Sequence, residues 1–129
     1  MTTTPLLILV VDDDVRTAQR LARMLRDEGY DVEVVGDGAA AIGRLSRDPT
    51  PHVLVTDLRM PHADGLAVSK YARAQRPGIP IFVVTSYPNR MGEMQRTFDP
   101  PPLLFTKPFD YDELSGEIGR ASSRLAESR

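Results

Sequence analysis

The chain has 129 residues and a formal net charge of -2. That length suits a single domain over residues 1–129, which can remove roughly two-thirds of its extended surface from water on folding. Its scattered basic residues argue against direct nucleic-acid binding. The lack of cysteine excludes disulfides and thiolate metal sites. We find no signal peptide and no apolar stretch long enough to span a membrane, and therefore expect a cytoplasmic protein without membrane contact.

Five short apolar runs alternate with segments whose apolar residues recur at helical spacing. The first helical segment carries Ala18, Leu21 and Leu25 on one face, and the last carries Leu114 and Ile118. The runs are predicted strands, buried except for a weaker second one: residues 6–11, 32–35, 53–55, 79–84 and 103–105. This order predicts an α/β fold of five βα units, with a mostly parallel sheet covered by helices on both faces.

Helix boundaries are marked by acids and prolines. Asp37 is a predicted N-cap of the second helix. Asp110 and Glu113 have the spacing of a capping box at the start of the last helix, with Asp in place of the usual Ser or Thr. The prolines at residues 100–102 cannot continue a helix, so the fourth helix is expected to end near Phe98.

Polar side chains follow the ends of four predicted strands. Asp12 and Asp13 follow the first strand, Asp57 the third, Thr85 the fourth and Lys107 the fifth. Ligands of such sheets bind outside the carboxyl ends of the strands, where the winding reverses. The five positions should therefore converge on one crevice, although they are spread over nearly the whole chain.

These residue types are suited to phosphoryl transfer. A phosphoryl group on Asp57 would bring about two negative charges close to Asp12 and Asp13. At about 4 Å and an effective dielectric constant of about 20, each like-charge pair costs roughly 4 kcal/mol, so a cation is required. Carboxylate oxygens are ligands that suit Mg²⁺. A lysine can pair with Asp57 before transfer and with the phosphoryl oxygens afterwards.

Each candidate also has a structural alternative. A run of three acids after a strand can simply cap a helix, and Asp14 is expected to do only that. The Thr85 hydroxyl can bond to its own backbone, as Thr often does at strand ends. Lys107 can be an ordinary surface lysine, and Asp57 a turn residue.

Several segments of the chain resemble the receiver domain of bacterial two-component response regulators, and the resemblance covers about residues 6–125. It implies a flavodoxin-like, doubly wound (βα)5 fold with strand order 2-1-3-4-5. The segments that carry it are Leu9-Val10-Val11-Asp12-Asp13-Asp14, Val55-Thr56-Asp57-Leu58-Arg59-Met60-Pro61, Asp64-Gly65, Val84-Thr85-Ser86 and Lys107-Pro108-Phe109.

The resemblance also implies roles for these residues. Asp57 would accept a phosphoryl group from the phosphohistidine of a sensor kinase or a histidine phosphotransfer protein. Asp13 would bind Mg²⁺ directly, Asp12 through water, and the backbone carbonyl of Arg59 would be a further ligand. The Thr85 hydroxyl would donate to a phosphoryl oxygen. A cis peptide bond would precede Pro108. Such a domain catalyses only its own phosphorylation and dephosphorylation and is otherwise no enzyme.

The chain departs from the family where the signal is usually transmitted, on the surface made by the fourth helix, fifth strand and fifth helix. Leu104 stands where the family usually has an aromatic switch residue, and three prolines stand just before it. We hypothesise that signalling uses a different rearrangement or a change in dimerisation through this surface. Arg59 and Tyr87 occupy positions that in the family influence loss of the phosphoryl group, and their size predicts a long-lived phosphoform.

Two other functions compete with the switch. The domain could be a protein-interaction module that works without phosphorylation, as the altered output surface suggests. It could also be a phosphatase of the haloacid-dehalogenase type, with Asp12 as nucleophile, but that leaves Asp57 without a role. The downstream partner would be a separate protein or a fused effector domain, and the sequence leaves both open.

Overall fold

The computed structural model describes residues 5–60 and 62–128, so Pro61 of the resemblance lies outside the described residues, as do both chain ends. Strands and helices alternate as predicted. Their order is β1 Leu7–Val11, α1 Val15–Asp27, β2 Asp31–Val35, α2 Gly38–Leu45, β3 Val53–Thr56, α3 Gly65–Gln75, β4 Ile81–Thr85, a 3-10 turn Pro88–Arg90, α4 Met91–Thr97, β5 Leu103–Thr106 and α5 Tyr111–Ser128.

All five strands are parallel, in the order β2-β1-β3-β4-β5, which confirms the predicted α/β fold and its strand order. β1 pairs with β2 on one side and with β3 on the other. The winding therefore reverses between β1 and β3, and the crevice expected at such a point lies outside their carboxyl ends. The strand ends that face it are Val11 and Thr56, which are partners in the sheet register.

Alternation along β1 divides the core into two layers. Ile8 and Val10 pack with buried residues of α1 and α5, whereas Leu9 and Val11 pack with those of α2, α3 and α4. The apolar faces predicted for the first and last helices are confirmed, since Leu21 and Leu25 of α1 and Leu114 and Ile118 of α5 are all buried. No described helix is long and apolar enough to cross a lipid bilayer.

The strand predicted at residues 103–105 forms, but the prediction that it is buried is wrong. β5 forms, but Leu103 is 40% exposed and its two successors are only partly buried. The physical reason is its place at the edge of the sheet, where β4 is its partner. Leu104 still packs against the layer that contains Leu9, and Phe105 against the layer that contains Ile8.

Acidic side chains begin the helices that start near the carboxyl edge of the sheet. Asp14, Asp37 and Asp64 each accept a hydrogen bond from a backbone N–H three residues later and so cap α1, α2 and α3. At the start of α5, Asp110 Oδ1 accepts from the backbone N–H of Asp112 at 2.8 Å and from that of Glu113 at 3.4 Å. The predicted Asp37 cap and the Asp110 half of the predicted capping box are thus confirmed, and α4 ends at Thr97 with an extended Phe98, as predicted.

The opposite, amino edge of the sheet is held by arginines that donate to loop carbonyls. Arg44 donates to Pro49 at 2.8 Å, and Arg76 to Pro51 at 3.0 Å. Arg26 and Arg73 make equivalent bonds to the start of β2 and to the segment before β4. These bonds give partly buried carbonyls hydrogen-bond donors in place of the regular backbone bonds of the sheet. They hold the loops at the amino edge in position.

Arg44 is the most buried of these arginines and leads to a stability prediction. It is 5% exposed, and its Nε lies 2.6 Å from Glu33 Oε1. Because Glu33 is half exposed, we expect Glu33→Gln to lower the free energy of unfolding by about 1–2 kcal/mol, less than for a fully buried pair. Urea unfolding measures this loss, and Glu127→Gln, on an exposed glutamate of α5, should change it by less than about 0.5 kcal/mol.

The pH dependence of the same variant gives a second check. The hydrogen bond from Arg44 lowers the pKa of Glu33 below its ordinary 4.5. A depressed carboxyl pKa contributes stability above the unfolded-state pKa, which is lost as the pH falls through the folded-state pKa. The difference between native protein and Glu33→Gln should be constant above pH 4.5 and should shrink below it. A constant difference at all pH values would contradict this assignment.

Candidate phosphoryl-acceptor site

A pocket of about 520 Å³ opens at the carboxyl edge of the sheet, between the ends of β1 and β3 and the loop after β4. Four of the five predicted polar side chains line it: Asp12, Asp13, Asp57 and Lys107. The fifth, Thr85, is fully buried at the end of β4, next to the lining residue Ser86. The structure therefore brings together residues that are far apart in sequence.

Three carboxylates form the acidic side of the pocket. Asp12, Asp13 and Asp57 each offer an oxygen atom within 4.8 Å of the others. Asp12 and Asp57 are buried, whereas Asp13 is exposed. This set of hard oxygen donors could hold a metal ion, with Asp13 on the side that is open to solvent.

Lys107 forms the basic side of the pocket and contacts two of these acids. Its Nζ lies 2.8 Å from Asp12 Oδ2 and 2.9 Å from Asp57 Oδ2. Burial alone would lower the pKa of Lys107, but the two carboxylates outweigh burial and raise that pKa above 10.5. The ammonium group therefore stays charged at neutral pH. The peptide bond before Pro108 is cis, as predicted.

Asp12 is constrained on both of its carboxylate oxygens. Oδ1 accepts a hydrogen bond from the backbone N–H of Asp14, and Oδ2 accepts from Lys107. Burial is the largest influence and raises the pKa of Asp12 above 3.8, despite the lowering effects of Lys107 and of the Asp14 N–H. Asp12 is consequently held in place by the protein itself, and Asp14 separately caps α1 as predicted.

Asp57 is oriented by the backbone that follows it. Its Oδ1 accepts from the Leu58 N–H at 2.6 Å and from the Arg59 N–H at 3.4 Å, while Oδ2 faces Lys107. The side chain is thus fixed at the floor of the pocket, with donors on both oxygens that stabilise the carboxylate. Gly65 allows this packing, because a Cβ there would lie 2.2 Å from the Asp57 carbonyl oxygen.

Thr85 makes the local backbone hydrogen bond that is the structural alternative to a role in phosphoryl transfer. Its Oγ1 accepts a hydrogen bond from the backbone N–H of Tyr87 at 3.0 Å, a common local bond for Thr. The hydroxyl is nevertheless one residue from the pocket lining.

Two contacts across the mouth of the pocket were not predicted from the sequence. The Arg59 guanidinium carbon lies 4.2 Å from the centroid of the Tyr87 ring, and Arg90 Nη2 lies 3.0 Å from Asp64 Oδ2. Both pairs join the loop after β3 to the loop after β4. Pairs of loop residues some 26 positions apart have no sequence periodicity that could reveal them.

The chain is similar in sequence to known response regulators. A model of the response regulator receiver domain matches residues 8–118. Response regulator MprA of Mycobacterium leprae is 37% identical over 114 residues, covering 86% of this chain and 48% of that protein. DNA-binding response regulator MtrA of Mycobacterium tuberculosis is 34% identical over 118 residues, covering 92% of this chain and 50% of that protein. The chain thus spans about half the length of these relatives.

Solved structures agree with the sequence relatives. The receiver domain of the Francisella response regulator 1452 superposes with a TM-score of 0.79 at 28% identity, and the alignment covers 95% of this chain and 99% of that one. Similarity over nearly the whole of both chains indicates one shared domain fold.

The close approach of Gly65 to Asp57 yields a prediction. Gly65→Ala should lower the free energy of unfolding by about 1–3 kcal/mol, because the backbone around Asp57 must shift to admit the methyl group. Gly119→Ala, in open space on α5, should instead raise it by about 0.5–1 kcal/mol. Urea unfolding of both variants measures the contrast, and effects of equal sign would contradict the packing described here.

Proposed function

Because this chain belongs to the response regulator receiver domain family, we propose that it is a phosphorylation-activated switch in which Asp57 accepts the phosphoryl group. The observation that carries the proposal is the position of Asp57, which lies 2.9 Å from the Lys107 ammonium and offers a ligand oxygen within 4.8 Å of those of Asp12 and Asp13. Receiver domains are signalling domains. The catalysis we assign to this one is limited to its own phosphorylation and dephosphorylation.

The proposed donor is a phosphohistidine on a sensor kinase or a histidine phosphotransfer protein. An oxygen of the Asp57 carboxylate attacks phosphorus, the N–P bond breaks, and the electron pair returns to the imidazole nitrogen. The products are an aspartyl phosphate and a histidine that takes up a proton from solvent. Hydrolysis by water later restores the carboxylate and releases inorganic phosphate.

Mg²⁺ is the metal that we assign to the acidic side of the pocket. Asp13 would bind it directly and Asp12 through water, with Asp57 and the backbone carbonyl of Arg59 as further ligands. The oxygen donors within 4.8 Å of one another support a small hard cation. When bound, the ion offsets the charge of the phosphoryl group, whose repulsion by each nearby carboxylate costs roughly 4 kcal/mol.

Lys107 and Thr85 act on the phosphoryl group after transfer. Lys107 exchanges its bond to Asp57 for a bond to a phosphoryl oxygen. The charge of the partly buried ammonium group therefore stays paired. Thr85 turns its hydroxyl from the Tyr87 N–H to a phosphoryl oxygen, and the loop after β4 follows. The phosphoryl group then favours one loop arrangement by its difference in affinity for the two.

A groove beside the pocket suits the docking of the phosphohistidine partner. It has a volume of about 950 Å³, lies between α1 and the loop after β5, and shares Ser86 and Lys107 with the lining of the acidic pocket. Leu21 and Phe109 give it an apolar part, and Arg16 supplies positive charge. A partner bound there would lie beside the pocket that contains Asp57.

The output surface is formed by α4, β5 and α5. Because residue 104 is a leucine, which packs against the core layer that contains Leu9, no aromatic ring is present to act as the reporter at this position. We propose that movement of the loop after β4 reaches α4 directly or changes homodimer formation through this surface. The target is a separate protein or a fused effector domain of the kind that the greater length of the relatives allows.

Two other functions are weaker. A phosphatase that uses Asp12 as nucleophile is disfavoured, because it leaves Asp57, which is buried in the same pocket and bonded to Lys107, without a role. An interaction module that works without phosphorylation is favoured only by Leu104 and the exposed Leu103. Phosphorylation of the native chain and of Asp57→Asn distinguishes both functions from the switch.

The acceptor is tested by intact mass after incubation with Mg²⁺ and acetyl phosphate. The native chain should gain about 80 Da, one phosphoryl group, and Asp57→Asn should gain nothing. Asp37→Asn is the matched control, because it alters a helix cap away from the pocket and should keep the gain. A gain that survives in Asp57→Asn would overturn the assignment, and no gain in a native chain that binds Mg²⁺ would favour the interaction module.

The lifetime of the phosphoform is tested at the Arg59–Tyr87 contact. The stacked pair lies at the pocket mouth and should hinder an attacking water. Arg59→Ala or Tyr87→Ala should speed loss of the phosphoryl group by roughly two- to fivefold, since an exposed cation–π contact contributes about 0.5–1 kcal/mol. Phosphate release after removal of the donor measures the rate. Arg23→Ala, on the exposed face of α1, should leave it unchanged, and equal rates in all variants would contradict the shielding role.

A further inference from the structure

The ion pair between Arg90 and Asp64 is the second contact between the two loops at the pocket mouth. Arg90 belongs to the 3-10 turn before α4, and Asp64 is the N-cap of α3. Both side chains line the pocket that contains Asp57. Their charges are paired across the opening through which the phosphoryl group must enter.

This pair is better shielded than an ordinary surface ion pair. The side chains of Arg90 and Asp64 are 31% and 34% exposed. Burial would raise the pKa of Asp64, but the Ala67 N–H and the Arg90 guanidinium outweigh burial and lower it. Asp64 is therefore ionised at neutral pH, with one oxygen on the α3 cap and the other on Arg90.

A short chain of bonds connects Arg90 to the Thr85 hydroxyl. The backbone N–H of Arg90 donates to the Tyr87 carbonyl at 3.3 Å, and the Tyr87 N–H donates to Thr85 Oγ1 at 3.0 Å. Residues 85–90 thus form one compact unit. If the guanidinium of Arg90 is held by Asp64, Tyr87 remains where it engages the Thr85 hydroxyl.

We propose that Arg90 is a positioning residue, whose ion pair with Asp64 holds the loop after β4 in the arrangement in which the Tyr87 N–H engages the Thr85 hydroxyl. This rests on the proposed acceptor function. The pair opposes the arrangement in which Thr85 reaches the phosphoryl group, so it sets the population of that arrangement before phosphorylation. Loss of the pair should raise this population roughly two- to fivefold, the range for an ion pair of modest strength.

Hydrogen exchange in the unphosphorylated chain tests the positioning role directly. Arg90→Gln and Asp64→Asn remove the pair, and Asn retains the ability to cap α3. The amide of Tyr87, measured by NMR, should exchange two- to fivefold faster in each, with β1 unchanged. Arg90→Lys should restore slow exchange in part, and Arg96→Gln, on the exposed side of α4, should have no effect. Unchanged exchange in Arg90→Gln would overturn the proposal.

The rate of phosphorylation by acetyl phosphate is a second test of the positioning role of Arg90. Arg90→Gln and Asp64→Asn should each speed it two- to fivefold. The double variant should be no faster than Arg90→Gln, which also loses a 4.0 Å contact with Glu93, because Asp64→Asn then has no ion pair left to remove. A double variant whose rate increase equals the product of the two single increases would overturn the proposal. If the native chain takes no phosphoryl group, the acceptor function fails, whereas the exchange data still decide whether Arg90 holds the loop.

Discussion

The site depends on the ammonium of Lys107, which lies between two carboxylates that would otherwise repel each other. Its Nζ is within 2.9 Å of both Asp12 and Asp57. Without this cation, the like charges of two buried acids at neighbouring strand ends would be uncompensated. The pairing brings β5 to the ends of β1 and β3, and thereby joins the edge of the sheet to its centre.

The two edges of the sheet are stabilised by different means. At the amino edge, guanidinium groups such as those of Arg44 and Arg76 satisfy the carbonyls of the loops. At the carboxyl edge, the polar groups belong to the pocket, and the loops are joined by only a few exchangeable contacts such as Arg90–Asp64. Fixed bonds at one edge and replaceable bonds at the other suit the proposed switch, in which the loop after β4 moves.

Most of the fold followed from local patterns in the sequence. Alternating apolar runs and helical spacings predicted the βα order, and Asp37 and Asp110 marked helix starts that the structure confirms. Burial of β5 was mispredicted, because an apolar run such as 103–105 gives no information on whether its strand has one neighbour or two. Leu103 is exposed for that reason.

The sequence by itself determined the chemistry of the site and its location at the strand ends, because side-chain type is local and the strands of βα units end at one edge. The sequence also predicted the pairing of Lys107 with Asp57. Only the tertiary structure decided the other pairings: Lys107 with Asp12, Arg59 with Tyr87, and Arg90 with Asp64. Contacts between loops depend on the path of the backbone in three dimensions, and loop residues have no repeating spacing that would encode it.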